Sequence, residues 1–431
     1  MSVFLETSLL LPNQTIWVAY SGGVDSHVLL HQLAQSKQRA QLRAVHVNHQ
    51  LSLKASAWAS HCEQVCSNLR IPLTQLCVDA RAPKGKSPEE YARDLRYQAI
   101  KEIMQVGDVL VTAHHQDDQA ETFLLQLLRG AGLAGLSAMA EEGIQKEIKL
   151  WRPFLHLTRT QIMEYALKNK LNWIHDESND AINFDRNFLR HHVIPEIKQR
   201  WPMLTKLVSR SAQHCAQAQT ILDEVAANDF VPGSVPHTLS KKALVSLSSA
   251  RQAMVIRYWL RQEGLMPPSE KQLQEIIKTL VYGRNDAEPC VRLGDYQLRS
   301  YRDDIYLLGQ KKNNNQKNEW QWHYPESLEA VGIYVPSKLV NGMITFYLPE
   351  SMPLVVTFRR GGERFHPAGR VGSHPLKKLL QEWGVPPWLR DKIPLIYAGN
   401  ELVAVAGYAI SESVSKENKV KINFALKEAA S

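Results

Sequence analysis

Along the first third of the chain, apolar positions gather in short runs set between longer stretches of mixed polarity. Residues 16–20, 43–48, 73–78 and 108–112 form four such runs, rich in apolar and β-branched residues. The first is apolar enough for a strand buried on both faces. Between the runs apolar residues recur at helical spacing, as Val24, Val28, Leu29 and Leu33 do after the first. Strands alternating with helices predict an α/β fold with a parallel, doubly wound sheet. Ligands of such sheets gather at the carboxyl ends of the strands. The candidate site residues are therefore those that follow each strand: 21–26, 46–49, Asp79 and 114–118.

The stretch "GKSPEEYARDLRYQAI" predicts a helix with Ser87 as N-cap, Pro88 in its first position and Glu90 as capping-box partner. Tyr91, Leu95 and Ile103 would form its buried stripe, with Arg93 and Arg96 on another face. From 151 to about 220 the pattern is helical, interrupted by the polar stretch "HDESNDAINFDRNFLR". A mostly helical block then runs to about 280, followed by short strand-like pieces to 308. The Asn- and Lys-rich "GQKKNNNQKNEW" reads as a linker. Beyond it, "PLVVTFRRGGERF" and "IPLIYAGNELVAVAGYAI" predict strands flanking a helix around 376–383. The expected organisation is a nucleotide-binding domain over 1–220, a mostly helical domain over 221–310, a linker over 311–320 and a small α+β domain over 321–431.

At 431 residues the chain is too long for one core, which agrees with that division. No apolar run reaches membrane-spanning length, and the first residues lack the pattern of a signal peptide, so a cytoplasmic protein is expected. The net charge of +8 points to a polyanionic partner without identifying it. Five cysteines, an odd number, argue against a disulfide framework. Cys62 and Cys66 lie one helical turn apart beside His61, but without a Cys-x-x-Cys pair they read as part of an amphipathic helix.

Two stretches carry chemistry. In "TIWVAYSGGVDSHVLLHQL" the strand breaks at Ser21, Gly22 and Gly23 and restarts as a helix at Val24, Asp25 and Ser26. Glycines let the backbone approach a ligand closely, and free amides at a helix start favour an anion. No Gly-Lys-Ser/Thr follows, which excludes a Walker A loop. In "VLVTAHHQDDQAETFLLQLLRGAGLAGL" the strand is followed by a helix whose first turns hold Asp117, Asp118 and Glu121. Glu121 adjoins both aspartates at helical spacing. Such a cluster suits Mg²⁺, whose ligands are oxygens, or an ammonium group.

With these segments in view the chain resembles the tRNA(Ile)-lysidine synthetase family of PP-loop ATP-pyrophosphatases. The resemblance rests on "SGGVDSHVLLHQL", "AVHVNHQLS", "EEYARDLRYQ", "TAHHQDDQAETFLLQLLRGAGLAGLSAM", "WRPFL", "WIHDESND", "DRNFLR" and "GGERFHPAGRVGSHPLKKLLQEWGVPPWLRDKIPLIY". It implies a catalytic domain over 1–220, a substrate-binding domain over 221–310 and tRNA recognition over 321–431.

The resemblance also implies a two-step ligation. ATP adenylates O2 of the wobble cytidine in an isoleucine tRNA with a CAU anticodon. The ε-amine of free L-lysine then attacks C2 and expels AMP, leaving lysidine, which pairs with A instead of G. On this reading Ser21, Gly22, Gly23, Val24, Asp25 and Ser26 bind ATP, with His46, Val47 and Asn48 at the adenine, and Asp25 holds Mg²⁺. Asp117, Asp118 and Glu121 bind lysine; Asp25, Asp118, Glu121 and Arg190 are catalytic. Arg93, Arg96 and Arg186 contact tRNA, with Asn187 beside the last. So do Arg359, Arg360, Arg364, Arg370, Lys377 and Lys378, interleaved with Phe365 and Trp383 as stacking surfaces. No membrane is involved, and a homodimer is compatible. Three alternatives stay open: a tRNA thiolase of the same superfamily, an amidotransferase-coupled synthetase, and a catalytically silent RNA-binding protein.

Overall fold

The structure is a computed structural model that describes residues 14–48, 54–81, 83, 88–175, 184–283, 289–309, 319–322, 344–348, 354–414 and 420–424. Ser87, most of "HDESND" and the greater part of the expected linker fall outside the described residues, as does the Glu90 side chain. The chain divides into two compact units, Met1–Ile221 and Leu222–Ser431.

The first unit begins with β1 (Ile16–Ala19), α1 (Val24–Ala34), β2 (Leu42–Asn48), α2 (Ala55–Leu69), β3 (Leu73–Cys77), α3 (Pro88–Ile103) and β4 (Val109–Val111). It continues through α4 (Gln116–Leu128), α5 (Leu133–Leu136), β5 (Glu142–Gln145), β6 (Ile148–Trp151) and α6 (Arg159–Lys168). Then come α7 (Asp185–Phe188), a π-helical turn (Leu189–Val193), α8 (Ile194–Arg200) and α9 (Leu204–Asp229), whose last turns run into the second unit.

The four expected strands are present and parallel, in a six-stranded sheet of order β3-β2-β1-β4-β6-β5. Val18 pairs with Ala44 on one side and Val111 on the other. Strand order reverses between β1 and β4, so the crevice at their carboxyl ends is the place for a ligand. Side chains alternate as a strand demands. Ile16 and Val18 face a layer built by α1, α2 and α6, with Leu29, Leu33, Cys62, Phe154 and Ile162. Trp17 faces the opposite layer with Val45, Tyr97, Ile100 and Leu110.

Two local expectations are corrected. The buried stripe of α3 is Tyr97 and Ile100, while Tyr91, Leu95 and Ile103 are only half-buried. The β5–β6 hairpin was not anticipated, because its turn residues, Lys146 and Glu147, take positive φ of 50° and 68° without the usual Asn or Gly.

Asp108, just before β4, joins the amino-terminal edges of the central strands. Its carboxylate accepts from Trp17 Nε1 at 2.9 Å, Gln105 N at 2.9 Å and Thr15 N at 3.2 Å.

The second unit holds a four-stranded antiparallel sheet, order β7-β10-β9-β8, made of β7 (Thr238–Ser240), β8 (Cys290–Leu293), β9 (Tyr296–Tyr301) and β10 (Asp304–Gly309). Helices α10 (Lys241–Val245), α11 (Ser249–Gln262) and α12 (Glu270–Ile276) pack on it through Trp259, Leu260, Leu273 and Ile276. The strand-like pieces expected after 280 are β8, β9 and β10, while β7 lies within the block expected to be helical. A third sheet, including Leu354–Thr357, Leu395–Ala398 and Glu401–Val405, encloses a core with the helix Leu376–Glu382.

Replacing Asp108 by Ala leaves three donors, one of them a buried indole, without an acceptor. We expect a loss of about 3 kcal/mol in urea unfolding, with ligand requirements unchanged, because the residue sits at the far edge of the sheet from the crevice.

Candidate active site

Gly22 follows the buried Tyr20 and takes φ of +85°. A side chain there would be strained in backbone, and its Cβ would stand 2.5 Å from Ile174 Cδ1 and 3.0 Å from Cys62 Sγ. Its carbonyl accepts from Ile174 N at 2.9 Å, which fixes the loop to the segment after α6. Gly23 is the extended N-cap of α1. Ser26 Oγ donates to Gly23 O at 3.0 Å and accepts from Ser21 N at 3.2 Å. A hydroxyl has one proton, so in the 3.1 Å contact between the two serines Ser21 Oγ is the donor. Val24 turns into the core, and Asp25 stands in the first turn of α1.

The second half of the site is the start of α4. His115 caps it: Asp117 N donates to His115 Nδ1 at 3.2 Å, and His115 N donates to Asp118 Oδ2 at 2.9 Å. Because Nδ1 accepts, the ring proton is on Nε2. That atom faces Asp118 Oδ2 at 3.4 Å and Asp25 Oδ1 at 3.8 Å. His115 thus joins the two halves. Asp25 Oδ1 is buried and has no hydrogen-bond partner. Burial pushes the Asp25 pKa up; His115 counters this and Asp118 adds to it.

Asp118 and Glu121 come together as their spacing implies. Glu121 is 1% exposed and is gripped by Arg186 Nε at 2.8 Å and Arg190 Nε at 2.6 Å. Arg190 Nη2 reaches Glu121 Oε2 at 2.9 Å and Asp118 Oδ1 at 3.1 Å. Burial opposes charge on Asp118, but His115, Arg186 and the His115 amide outweigh it and hold the carboxyl at about 2. Asp117 is engaged elsewhere, by Lys198 Nζ at 2.6 Å and Arg159 N at 3.1 Å.

His46 is a buried framework residue whose Nδ1 lies 3.0 Å from Tyr20 O; burial lowers its pKa. Val47 and Asn48 are half-buried at the end of β2, and Asn48 O accepts from Val78 N at 2.9 Å. Arg93 lies 5.8 Å from the Tyr97 ring and adds positive field at His114, whose pKa burial pushes down to about 3. Arg96 is exposed. Lys198 and the buried Arg152 were not singled out from sequence, and His115 was named only within 114–118, without a role. The one available signal was the His-x-x-Asp spacing at a helix start, which resembles a capping box.

The basic cluster of the second unit is mostly spoken for. Arg359 pairs with Asp391 at 3.2 Å, Arg364 Nη2 donates to Ser373 O at 2.5 Å, and Arg370 pairs with Glu382 at 2.5 Å. Arg360 is exposed. Lys377 and Lys378 lie on the exposed side of a helix that buries Leu376, Leu379 and Leu380. The expectation of free stacking rings is corrected: Phe365 is 1% exposed, and Tyr408 covers one face of Trp383 at 5.5 Å and 12°. Phe365 lies in the core of the domain, and Trp383 packs against it.

Residues 3–197 match the family model of a PP-loop domain, 239–306 that of the TilS substrate binding domain, and 354–424 that of the TilS substrate C-terminal domain. The chain is 40% identical over 408 residues to a tRNA(Ile)-lysidine synthase of Coxiella burnetii, covering 94% of this chain and 91% of that one. The chain belongs to the tRNA(Ile)-lysidine synthase family. A synthase of Escherichia coli O157:H7 is 42% identical over 434 residues, covering 98% and 99% of the two chains. Among solved structures, a U34-tRNA thiolase of Methanococcus maripaludis aligns with TM-score 0.42 and 17% identity, over 49% of this chain and 76% of that one. As a family member this chain is an ATP-using ligase, and its first unit is the PP-loop ATP-binding domain. No helix among the described residues is long and apolar enough to cross a membrane. Burial pushes the Cys62 and Cys66 thiols up to about 12, so neither is poised as the thiolate a sulfur carrier needs.

The two loop glycines should respond differently to alanine. At Gly22 the positive φ and the close contacts predict a loss of about 3 kcal/mol in unfolding, with a raised ATP requirement. Gly23 has an ordinary φ of −72° and nothing nearer to a Cβ than Ser21 Oγ at 3.5 Å. Its replacement should cost about 1 kcal/mol or less.

Proposed function

We propose that this site makes lysidine in tRNA(Ile) from ATP and free lysine, and that its buried acid pair is the lysine seat. The observation that carries the reading is the Asp118–Glu121 pair, buried beside the PP-loop helix and neutralised by Arg186 and Arg190. A lysine ammonium can replace a guanidinium there without leaving a buried charge unpaired. The freed guanidinium then has the ATP phosphates as a partner, which suits a catalytic Arg190.

Asp25 fits Mg²⁺: its buried, unpartnered Oδ1 is a hard oxygen donor next to the loop. When bound, the ion supplies charge neutralisation for the departing pyrophosphate. The loop from Ser21 to Ser26 cradles that pyrophosphate, with the end of β2 at the adenine. O2 of the cytidine attacks the α-phosphorus, and the bond to pyrophosphate breaks. The lysine amine, having lost a proton, then attacks C2; the C2–O2 bond breaks and O2 leaves with AMP. Asp118 and Glu121 together hold the ammonium and assist the loss of its proton. His115, hydrogen-bonded to α4 and facing Asp25, fixes the distance between the two halves.

The direct test incubates the protein with ATP, labelled lysine and total tRNA, then digests the RNA and identifies the labelled nucleoside. Label confined to a modified cytidine of tRNA(Ile), and only with ATP, is the expected result; label in a base-labile ester would overturn it. Glu121→Gln should raise the lysine KM at least tenfold and the ATP KM about threefold or less. A selective rise in the ATP requirement would reassign the acid pair. Asp25→Ala should lower turnover about a thousandfold, and near-normal turnover at saturating Mg²⁺ would remove Asp25 as the metal ligand.

For the second unit we propose contacts to the tRNA backbone through Lys377 and Lys378, whose exposed charges suit phosphates. Replacing both by Gln should lower the slope of log affinity against log salt by about 1–2, with no change in melting temperature. An unchanged slope would show a merely solvated face.

A further inference from the structure

The segment that carries Arg186 and Arg190 has three sides. Leu189 and Ile194 turn inward and form a small core with Ala120 of α4. Arg186 and Arg190 reach the acid pair. Phe188 does neither. It is 49% exposed and stacks on His192, one turn later, with ring centroids 5.4 Å apart and planes at 27°. His192 is itself exposed. Hydrophobicity does not explain the pair, because the core beneath it is complete without Phe188. The surrounding segment is net basic, with Arg186, Arg190, Lys198 and Arg200 against Asp185 and Glu196.

We propose that Phe188 and His192 form a stacking shelf for an unpaired nucleobase of the tRNA anticodon loop, next to the base being modified. The inference rests on the reading that tRNA is the substrate. A cytidine whose C2 is to meet the acid pair must leave the loop's stack, and its neighbour loses a stacking partner. An aromatic face within a turn of the site arginines replaces that partner. Every base has a π face, so the shelf holds the loop open without reading its sequence, and Arg200, exposed in the same segment, suits the backbone.

The test uses the full chain and an anticodon stem-loop RNA with 2-aminopurine beside the target cytidine. Wild-type protein should quench its fluorescence on binding. Phe188→Leu should abolish the quench and weaken tRNA binding about 5- to 100-fold. The lysine and ATP KM values should stay within about twofold, as the shelf does not touch either, and Phe188→Tyr should restore both binding and quench. Equal binding and equal quench by Phe188→Leu would overturn the shelf, and so would a tyrosine variant as impaired as the leucine one. Should the leucine variant not fold, His192→Ala provides the same readout, with the same direction expected. Wild-type protein that bound no tRNA would overturn the substrate reading itself, an outcome distinct from either of these.

Discussion

The site depends on one electrostatic constraint: two carboxylates and two guanidinium groups meet at a largely buried place. Glu121 is almost wholly buried, and Asp118 nearly so. Removing such charges from water costs several kcal/mol per ion, offset only while every charge has a partner. The pocket can therefore change occupants only by exchange. Under the proposed lysine seat, an entering ammonium must release a guanidinium, and a released guanidinium needs an anion. The phosphates of ATP would be that anion. Coupling between the two substrates would then follow from neutrality alone.

The remaining architecture serves to hold the two sides of that exchange at fixed separation. The reversal of strand order at β1 and β4 puts the loop after β1 and the start of α4 side by side. His115 then ties them together, accepting from one backbone amide and presenting Nε2 toward both Asp25 and Asp118. On the opposite side, the π-helical turn lies in the middle of the segment that delivers the arginines. Turns of that kind disturb regular helix hydrogen bonding and recur at functional sites. Here the turn carries Arg190 itself, while Leu189 and Ile194 secure the segment against α4.

Much of this was legible along the chain, and the boundary of legibility is physical. The four parallel strands announced themselves by apolar runs, because burial on both faces leaves no room for polar positions. Asp118 and Glu121 were visible as neighbours because helical spacing is local. Their partners were not, since Arg186 and Arg190 lie 65 and 69 residues away from Glu121 in sequence and no local pattern encodes that distance. The β5–β6 hairpin was hidden by its Lys146–Glu147 turn, where tertiary pairing overrides turn preference. The stripe of α3 was misread for a related reason. Tyr97 and Ile100 are selected by the sheet they face, and Tyr91 and Leu95 are equally apolar.

Charge in the second unit shows the same limit from the other direction. Counting basic residues treats Arg359, Arg364 and Arg370 as equal to Lys377 and Lys378. Folding separates them. The arginines meet carboxylates or a carbonyl within their own domain, where planar guanidinium groups make directional bonds. The lysines are left on the outer face of a helix whose inner face is leucine. A phosphate approaching this domain must compete with a directly bonded carboxylate for Arg359 or Arg370, whereas Lys377 and Lys378 are exposed and Lys378 feels Glu382 only through its field. Counterion release therefore weights Lys377 and Lys378 above their share of the +8 charge. In the proposed RNA contact, the arginines serve chiefly to keep in shape the surface that presents those lysines.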